Sequence, residues 1–302
     1  MVNTTSIWRD YFDLCKPKVV ALLLLTSVVG VVLASPPGDI SLFILIVSTI
    51  GIGMGAAAGA VINQVVERET DLGMKRTENR PLPLGKVTQQ NAFIFAVLLA
   101  AGSVFILTAF INTLTAVLTF ASMIGYAVVY TMYLKKATPQ NIVIGGLAGA
   151  TPPLLGWVAV TNSMDPHGIL LVLIIYTWTP PHFWALAIHR RDDYAKVNLP
   201  MLPVTHGIEF TKYSILGYTI LMIMVTILPY LAYMRGLIYL LAAVVLGGYF
   251  LYKVLILMFT EKENAAISTF VYSINYLMLL FVAMVVDHYF NTDLIIYLNN
   301  TF

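Results

Sequence analysis

Residues 40–71 read ISLFILIVSTIGIGMGAAAGAVINQVVERETD. No charged side chain occurs from Ile40 to Val66; Glu67, Arg68, Glu69 and Asp71 then follow almost without interruption. A helix needs about 20 apolar residues to cross a hydrocarbon core of about 30 Å, so 40–63 predicts a membrane span and the acids mark its exit. If the helix continues past the membrane edge, Asn63, Glu67 and Asp71 recur every four positions, drift by only about 40° per step, and form one stripe. Such a stripe presents oxygen donors. Mg2+ takes one or two carboxylates of this kind and completes its octahedron with water and substrate phosphate oxygens. Lys75, Arg76 and Arg80 come next, before Pro81 and Pro83 stop the helix and Lys86 follows. Acids for a metal beside bases for phosphate read as a diphosphate site. A solvated loop obeying the positive-inside rule accounts for the bases equally well, but that rule does not ask for acids.

The rest of the chain fits a membrane setting. It has 302 residues, 59% hydrophobic and 11% charged, with mean hydropathy +0.84, far from the roughly 25% charged content of soluble domains. A net charge of +2 gives no reason to expect a nucleic-acid partner, and the lone Cys15 excludes an intrachain disulfide. Lys16 and Lys18 before an apolar run loosely mimic a signal peptide, but Ala34-Ser35-Pro36 is a poor cleavage site, so that run reads as a retained helix. The same length ruler predicts an all-α polytopic bundle of nine transmembrane helices, near 18–35, 40–63, 91–111, 114–134, 141–161, 169–189, 213–233, 237–259 and 267–289. With the N-terminus in the cytoplasm, 15 of the 17 lysines and arginines fall on that side, Lys253 snorkels towards it and Arg235 alone faces outward. The site is therefore expected at the cytoplasmic face. The chain reads as a single domain, 1–302, of two related four-helix halves (about 16–136 and 141–259) and a ninth helix (267–289).

A second charged connection, Arg190–Lys212, balances the first, Asn63–Lys86; together they hold 16 of the 32 charged residues. His182, His189 and Asp193 are spaced by seven and four, so a persisting helix would put them on one stripe, with Asp192 rotated about 100° away. Asp193 is then a second source of metal ligands. His182 lies about two turns inside the membrane, where polar residues default to functional hypotheses; the competing reading bonds it to a carbonyl freed by Pro180-Pro181. His167, His206 and His288 read as surface residues. Tyr130, Thr131, Tyr133, Lys135 and Lys136 close the fourth span and Lys16-Pro17-Lys18 opens the first, as interfacial anchors or as parts of the same constellation. Gly145, Gly146 and Gly149 allow close helix contact, with substrate clearance as the other reading.

These residues resemble a known family, the intramembrane prenyltransferases related to the ubiquinone-pathway 4-hydroxybenzoate enzyme, and within it the branch that farnesylates haem. The resemblance rests on Asn63-x3-Glu67-x3-Asp71, Arg76-Thr77-x-Asn79-Arg80-Pro81-Leu82-Pro83-x-Gly85, Gly145-Gly146-x2-Gly149-x2-Pro152-Pro153-x2-Gly156-Trp157, Pro181-His182-Phe183-Trp184, and Asp193-Tyr194-x5-Pro200-Met201-Leu202-Pro203. It runs from Lys16 to about Gly207. Many bacterial members carry aspartate at the position of Glu67, and the quinone-pathway relatives carry Asn-Asp where this chain has Asn63-Gln64; the latter difference favours haem over a phenolic acceptor.

The resemblance implies transfer of farnesyl from farnesyl diphosphate to a vinyl group of haem b, in a bacterial cytoplasmic membrane. It implies Mg2+ held by Glu67, Asp71 and Asp193, with Asn63 beside them, and diphosphate held by Lys16, Arg76, Arg80, Lys135 and Arg190. It further implies haem contacts by His182, Tyr194 and Asn198. Expected partners are the two substrates, the lipid bilayer, and a downstream haem A synthase or terminal oxidase. A relative that prenylates a quinone precursor and a membrane transporter remain the alternatives.

Overall fold

The computed structural model describes residues 7–74, 77–260 and 264–301, with side chains through Phe290. Among these residues nine helices are long and apolar enough to span a membrane: α1 (Pro17–Ala34), α2 (Leu42–Val66), α3 (Gln89–Phe110), α4 (Thr113–Ala137), α5 (Asn141–Thr161), α6 (Pro166–His189), α7 (Gly207–Leu231), α8 (Leu237–Phe259) and α9 (Ala265–Phe290, its helix running on to Thr301). Their starts follow from local chemistry. Ser41, Thr88 and Asn112 accept hydrogen bonds from Ile44, Asn91 and Thr115 N–H at the heads of α2, α3 and α4, which satisfies donors a helix otherwise leaves orphaned. Proline opens α1 and α6, where no N–H is needed.

Two boundaries differ from expectation. The fourth span runs to Ala137, because from Gly125 to Leu134 it widens into a π-helix. The seventh begins at Gly207, since the charges of Glu209 and Lys212 pair with each other at 2.9 Å on its first turns. α5 is broken at Thr151, where Pro152 and Pro153 start its second half.

Each helix packs on the next in sequence, and α9 returns to α1 to close the ring; α9 also packs along α6 and α8. The tightest crossing joins α1 to the second half of α5. A Cβ on Gly156 would lie 2.0 Å from the carbonyl oxygen of Ser27, and one on Gly30 would lie 2.0 Å from that of Pro153. Only glycine fits there, because the obstacle on each side is backbone. The far end is clasped by polar groups. Asp287 of α9, buried, accepts from Gly236 and Tyr239 N–H at the head of α8, while His288 joins Arg235 and the Ser35 carbonyl at 3.0 Å each. His288 is thus a bonded link between α1, α8 and α9, and Arg235 is itself buried. The expectation of a surface histidine fails because sequence spacing gives no sign of the ring closure that brings Ser35 beside it.

Candidate active site

The end of the bundle that carries Glu67, Lys135 and His189 holds the predicted charged residues. Helix α2 ends at Val66, yet Glu67 N–H still donates to the Asn63 carbonyl (3.0 Å) and Asp71 N–H to that of Glu67 (2.8 Å). The four-residue periodicity therefore survives the change of direction, and Asn63, Glu67 and Asp71 are all buried. A carboxylate in such a place requires a partner. Lys135, from the last turn of α4, pairs with Glu67 Oε1, and Arg80 Nη1 bonds Asp71 Oδ2 at 2.6 Å. Lys16 Nζ donates to Asn63 Oδ1, while the Asn63 amide donates to Thr131 Oγ1 at 3.0 Å.

Several devices hold this cluster. Thr131 Oγ1 donates to the carbonyl of Tyr126 at 2.8 Å, five residues back, so the π-helical register of α4 fixes it; π segments often occur at functional sites. Between Asp71 and Arg80 the chain folds into turns, with Thr77 Oγ1 donating to the Asp71 carbonyl at 2.9 Å. Gln64 donates to the Leu14 carbonyl at 2.8 Å, tying α2 to the end of the short helix Ile7–Leu14. That helix leads directly into Lys16, whose backbone is left-handed (φ 52). Gln64 thus does structural work. Burial, with the Arg80 guanidinium and then Lys135 adding to it, pushes the Lys16 pKa down to about 7 against the pull of Glu67 and Asp71. Three cations crowd two acids, an excess suited to an anionic ligand.

The second charged connection touches the first. A Cβ on Gly73 would sit 2.6 Å from Val197 Cγ1, and Met74 is buried in the same apolar cluster as Leu199 and Met201. Asp193, however, lies on a separate short helix, Arg191–Lys196, with its side chain 30% exposed and paired with Arg190 (3.4 Å) and Lys196 (4.0 Å). Among the described residues no three acids or histidines come together as a metal-holding group. Bases three positions either side of Asp193 engage it on its own helix. Tyr194 is half-buried, Asn198 is exposed with left-handed φ of 52°, and Arg76 lies outside the described residues.

His182 takes neither course foreseen for it in full. Its ring lies between Trp178 (centroids 4.2 Å apart) and Phe270 (4.6 Å), and Nδ1 is 2.6 Å from Ser273 Oγ on α9. Ser273 Oγ donates to the Phe270 carbonyl at 2.6 Å, so it accepts from Nδ1–H, and the lone pair is left on Nε2, which has no partner among the described residues. No freed carbonyl is involved. Sequence reasoning missed Ser273, whose signal is only a polar residue inside an apolar span. Gly145 packs on the Tyr130 ring and Gly146 on Thr179, as expected for packing, whereas a Cβ on Gly149 would meet nothing within 4 Å.

A nine-helix membrane bundle with buried acids paired to bases at one end has the build of an intramembrane prenyltransferase. The chain belongs to the UbiA prenyltransferase family, whose model matches residues 23–284. It is 58% identical, over 290 residues, to Protoheme IX farnesyltransferase 2 of Pseudoalteromonas atlantica, covering 96% of this chain and 95% of that one. Among solved structures it resembles a digeranylgeranylglyceryl phosphate synthase (TM-score 0.79, 20% identity, 94% of this chain and 99% of the other). It also resembles a UbiA homologue from Archaeoglobus fulgidus bound to DMAPP and Mg2+ (TM-score 0.62, 17% identity, 91% and 99%). These two likenesses are of fold.

Proposed function

We propose that this prenyltransferase joins the farnesyl group of farnesyl diphosphate to a vinyl group of haem b, making haem O at the cytoplasmic face of a bacterial inner membrane. The observation that carries the reading is the convergence of Lys16, Arg80 and Lys135 on Asn63, Glu67 and Asp71, buried at the ends of three helices. The identity with the farnesyltransferase relative supplies the substrates.

Glu67 and Asp71, a helical turn apart and buried, fit Mg2+, which accepts one or two carboxylates. When bound it would neutralise diphosphate charge and favour departure of the leaving group. Lys16, Arg80 and Lys135 grip the phosphate oxygens and stabilise the charge that grows as the allylic C–O bond breaks. Arg190, on the second charged connection, extends the grip, and Asp193, its partner at 3.4 Å, orients it. The apolar bundle keeps the farnesyl cation from water. The terminal vinyl carbon attacks it, forming the C–C bond, and water adds to the resulting porphyrin-stabilised cation with loss of a proton. His182 presents Nε2 to haem, with its ring fixed by Ser273, Trp178 and Phe270; Tyr194 and Asn198 border the same connection.

The test is direct. Purified protein given haem b, farnesyl diphosphate and Mg2+ is expected to yield a hydroxyethylfarnesyl haem by mass. Product with 4-hydroxybenzoate but none with haem would instead assign a quinone precursor as acceptor. A transporter would place its ligands near the bilayer middle on broken helices, unlike the cluster at one end.

A further inference from the structure

Apart from the acidic cluster, a groove of about 380 Å³ runs between α8 and α9 near the same end of the bundle, lined by Tyr249, Lys253, Asn264, Ser268, Tyr272 and Asn275. Lys253 lies six residues before the end of α8 at Phe259, about 9 Å inside by helical rise. Its Nζ donates to Ser268 Oγ at 3.2 Å and lies 5.4 Å from the Tyr249 ring centre. Among the described residues it has no carboxylate partner. A lysine at that depth is costly in hydrocarbon unless it snorkels or meets an anion. Asn264, just before α9, and Ser268 and Asn275 on it are spaced by four and seven, so they share the face that lines the groove. Asn275 is exposed, about 15 Å from the start of α9, and its amide makes no hydrogen bond with the described residues.

An amide at the membrane edge, a cation beside a hydroxyl below it, and a second amide further towards the bilayer middle match the vertical order of an anionic phospholipid. We propose that the α8–α9 groove binds one such lipid, with its phosphate at Lys253 and Ser268, its headgroup at Asn264 and its ester oxygens at the Asn275 amide. The acyl chains run on past Asn275 along the exposed Leu279 and Val282, four and seven residues further on the same face. Each anionic headgroup meeting a lysine near the membrane surface is worth about 1 kcal/mol, or roughly fivefold in affinity. A second copy of the chain is the poorer occupant, because a symmetric contact through this face sets one Lys253 against another with no acid among the described residues that line the groove.

The proposal is tested on the whole protein in phosphatidylcholine nanodiscs with phosphatidylglycerol as a minor component, counting retained lipid by native mass spectrometry. One phosphatidylglycerol is expected to be retained in preference to phosphatidylcholine, roughly fivefold more weakly by Lys253→Met, more weakly by Asn275→Leu, and undiminished by Lys253→Arg. Millimolar inorganic phosphate is expected to leave it in place. Equal retention of the two lipids, unchanged retention by both Lys253→Met and Asn275→Leu, displacement by inorganic phosphate, or a dimer that Lys253→Met dissociates would each overturn it. Prenyl transfer, whose proposed residues include neither Lys253 nor Asn275, reports that the variants are folded.

Discussion

Asn63 on α2 gives its amide hydrogen to Thr131 on α4, 68 residues away and 3.0 Å distant. The hydroxyl can only accept in that direction because its own proton is directed to the Tyr126 carbonyl. With the amide group so fixed, Asn63 Oδ1 is turned to Lys16. The wide turn of α4 thereby sets the position of a lysine at the head of α1, and the same turn delivers Lys135 to Glu67.

Replacing Thr131 by valine keeps the shape and removes the acceptor. Loss of a group that orients site residues commonly costs 10- to 100-fold, so kcat is expected to fall by about tenfold or more while KM for haem stays put. Thr131→Ser is expected to restore most of the rate. Steady-state kinetics on the three proteins checks this, and an unchanged kcat in the valine variant would remove the positioning role.

Asp71 and Arg80 meet at 2.6 Å with the acid buried. Asp71→Asn leaves the size of the side chain nearly unchanged but withdraws a charge from both the metal and the arginine. Turnover is expected to drop by about a hundredfold, the scale of losing one group that stabilises transition-state charge, and chelation of divalent cations by EDTA should abolish what wild-type protein does. Full Mg2+-dependent turnover by Asp71→Asn would end the proposed metal role.

His182 and Ser273 provide a separate readout. With Nδ1 engaged by Ser273 at 2.6 Å, an iron ligand at Nε2 would have the outer hydrogen bond that ligating histidines need. The absorption spectrum of bound haem should therefore change in His182→Ala, and Ser273→Ala should weaken haem binding by about tenfold. Spectra and affinities matching wild type in both variants would leave His182 as packing between Trp178 and Phe270.

The spans were legible because the membrane imposes one length on every helix: 40–63 was expected and Leu42–Val66 is found. The Asn63–Glu67–Asp71 stripe was legible because its hydrogen bonds are local. The partners of Thr131 and Gln64 were not, since they lie 68 and 50 residues away and nothing in a polar residue near a span end says which helix it will meet. Asp193 shows the converse limit. Its spacing from His182 and His189 is right for a shared stripe, but the spacing ignores Arg190 and Lys196, which engage it on its own helix.

Gly156 and Gly149 sit in the same broken span with opposite surroundings, which separates packing from clearance. A methyl group on Gly156 would overlap the Ser27 carbonyl, a backbone atom that yields only if α1 and α5 move apart; one on Gly149 would touch nothing within 4 Å. Overpacking costs about 1–3 kcal/mol, which for a chain of this size lowers the melting temperature by about 2–5 °C. Gly156→Ala is expected to melt earlier by that amount in detergent, and Gly149→Ala to melt with wild type. If Gly149→Ala nevertheless raises KM for farnesyl diphosphate, the open space beside it is room for substrate; a KM unchanged from wild type would leave that space without a role in binding the prenyl chain.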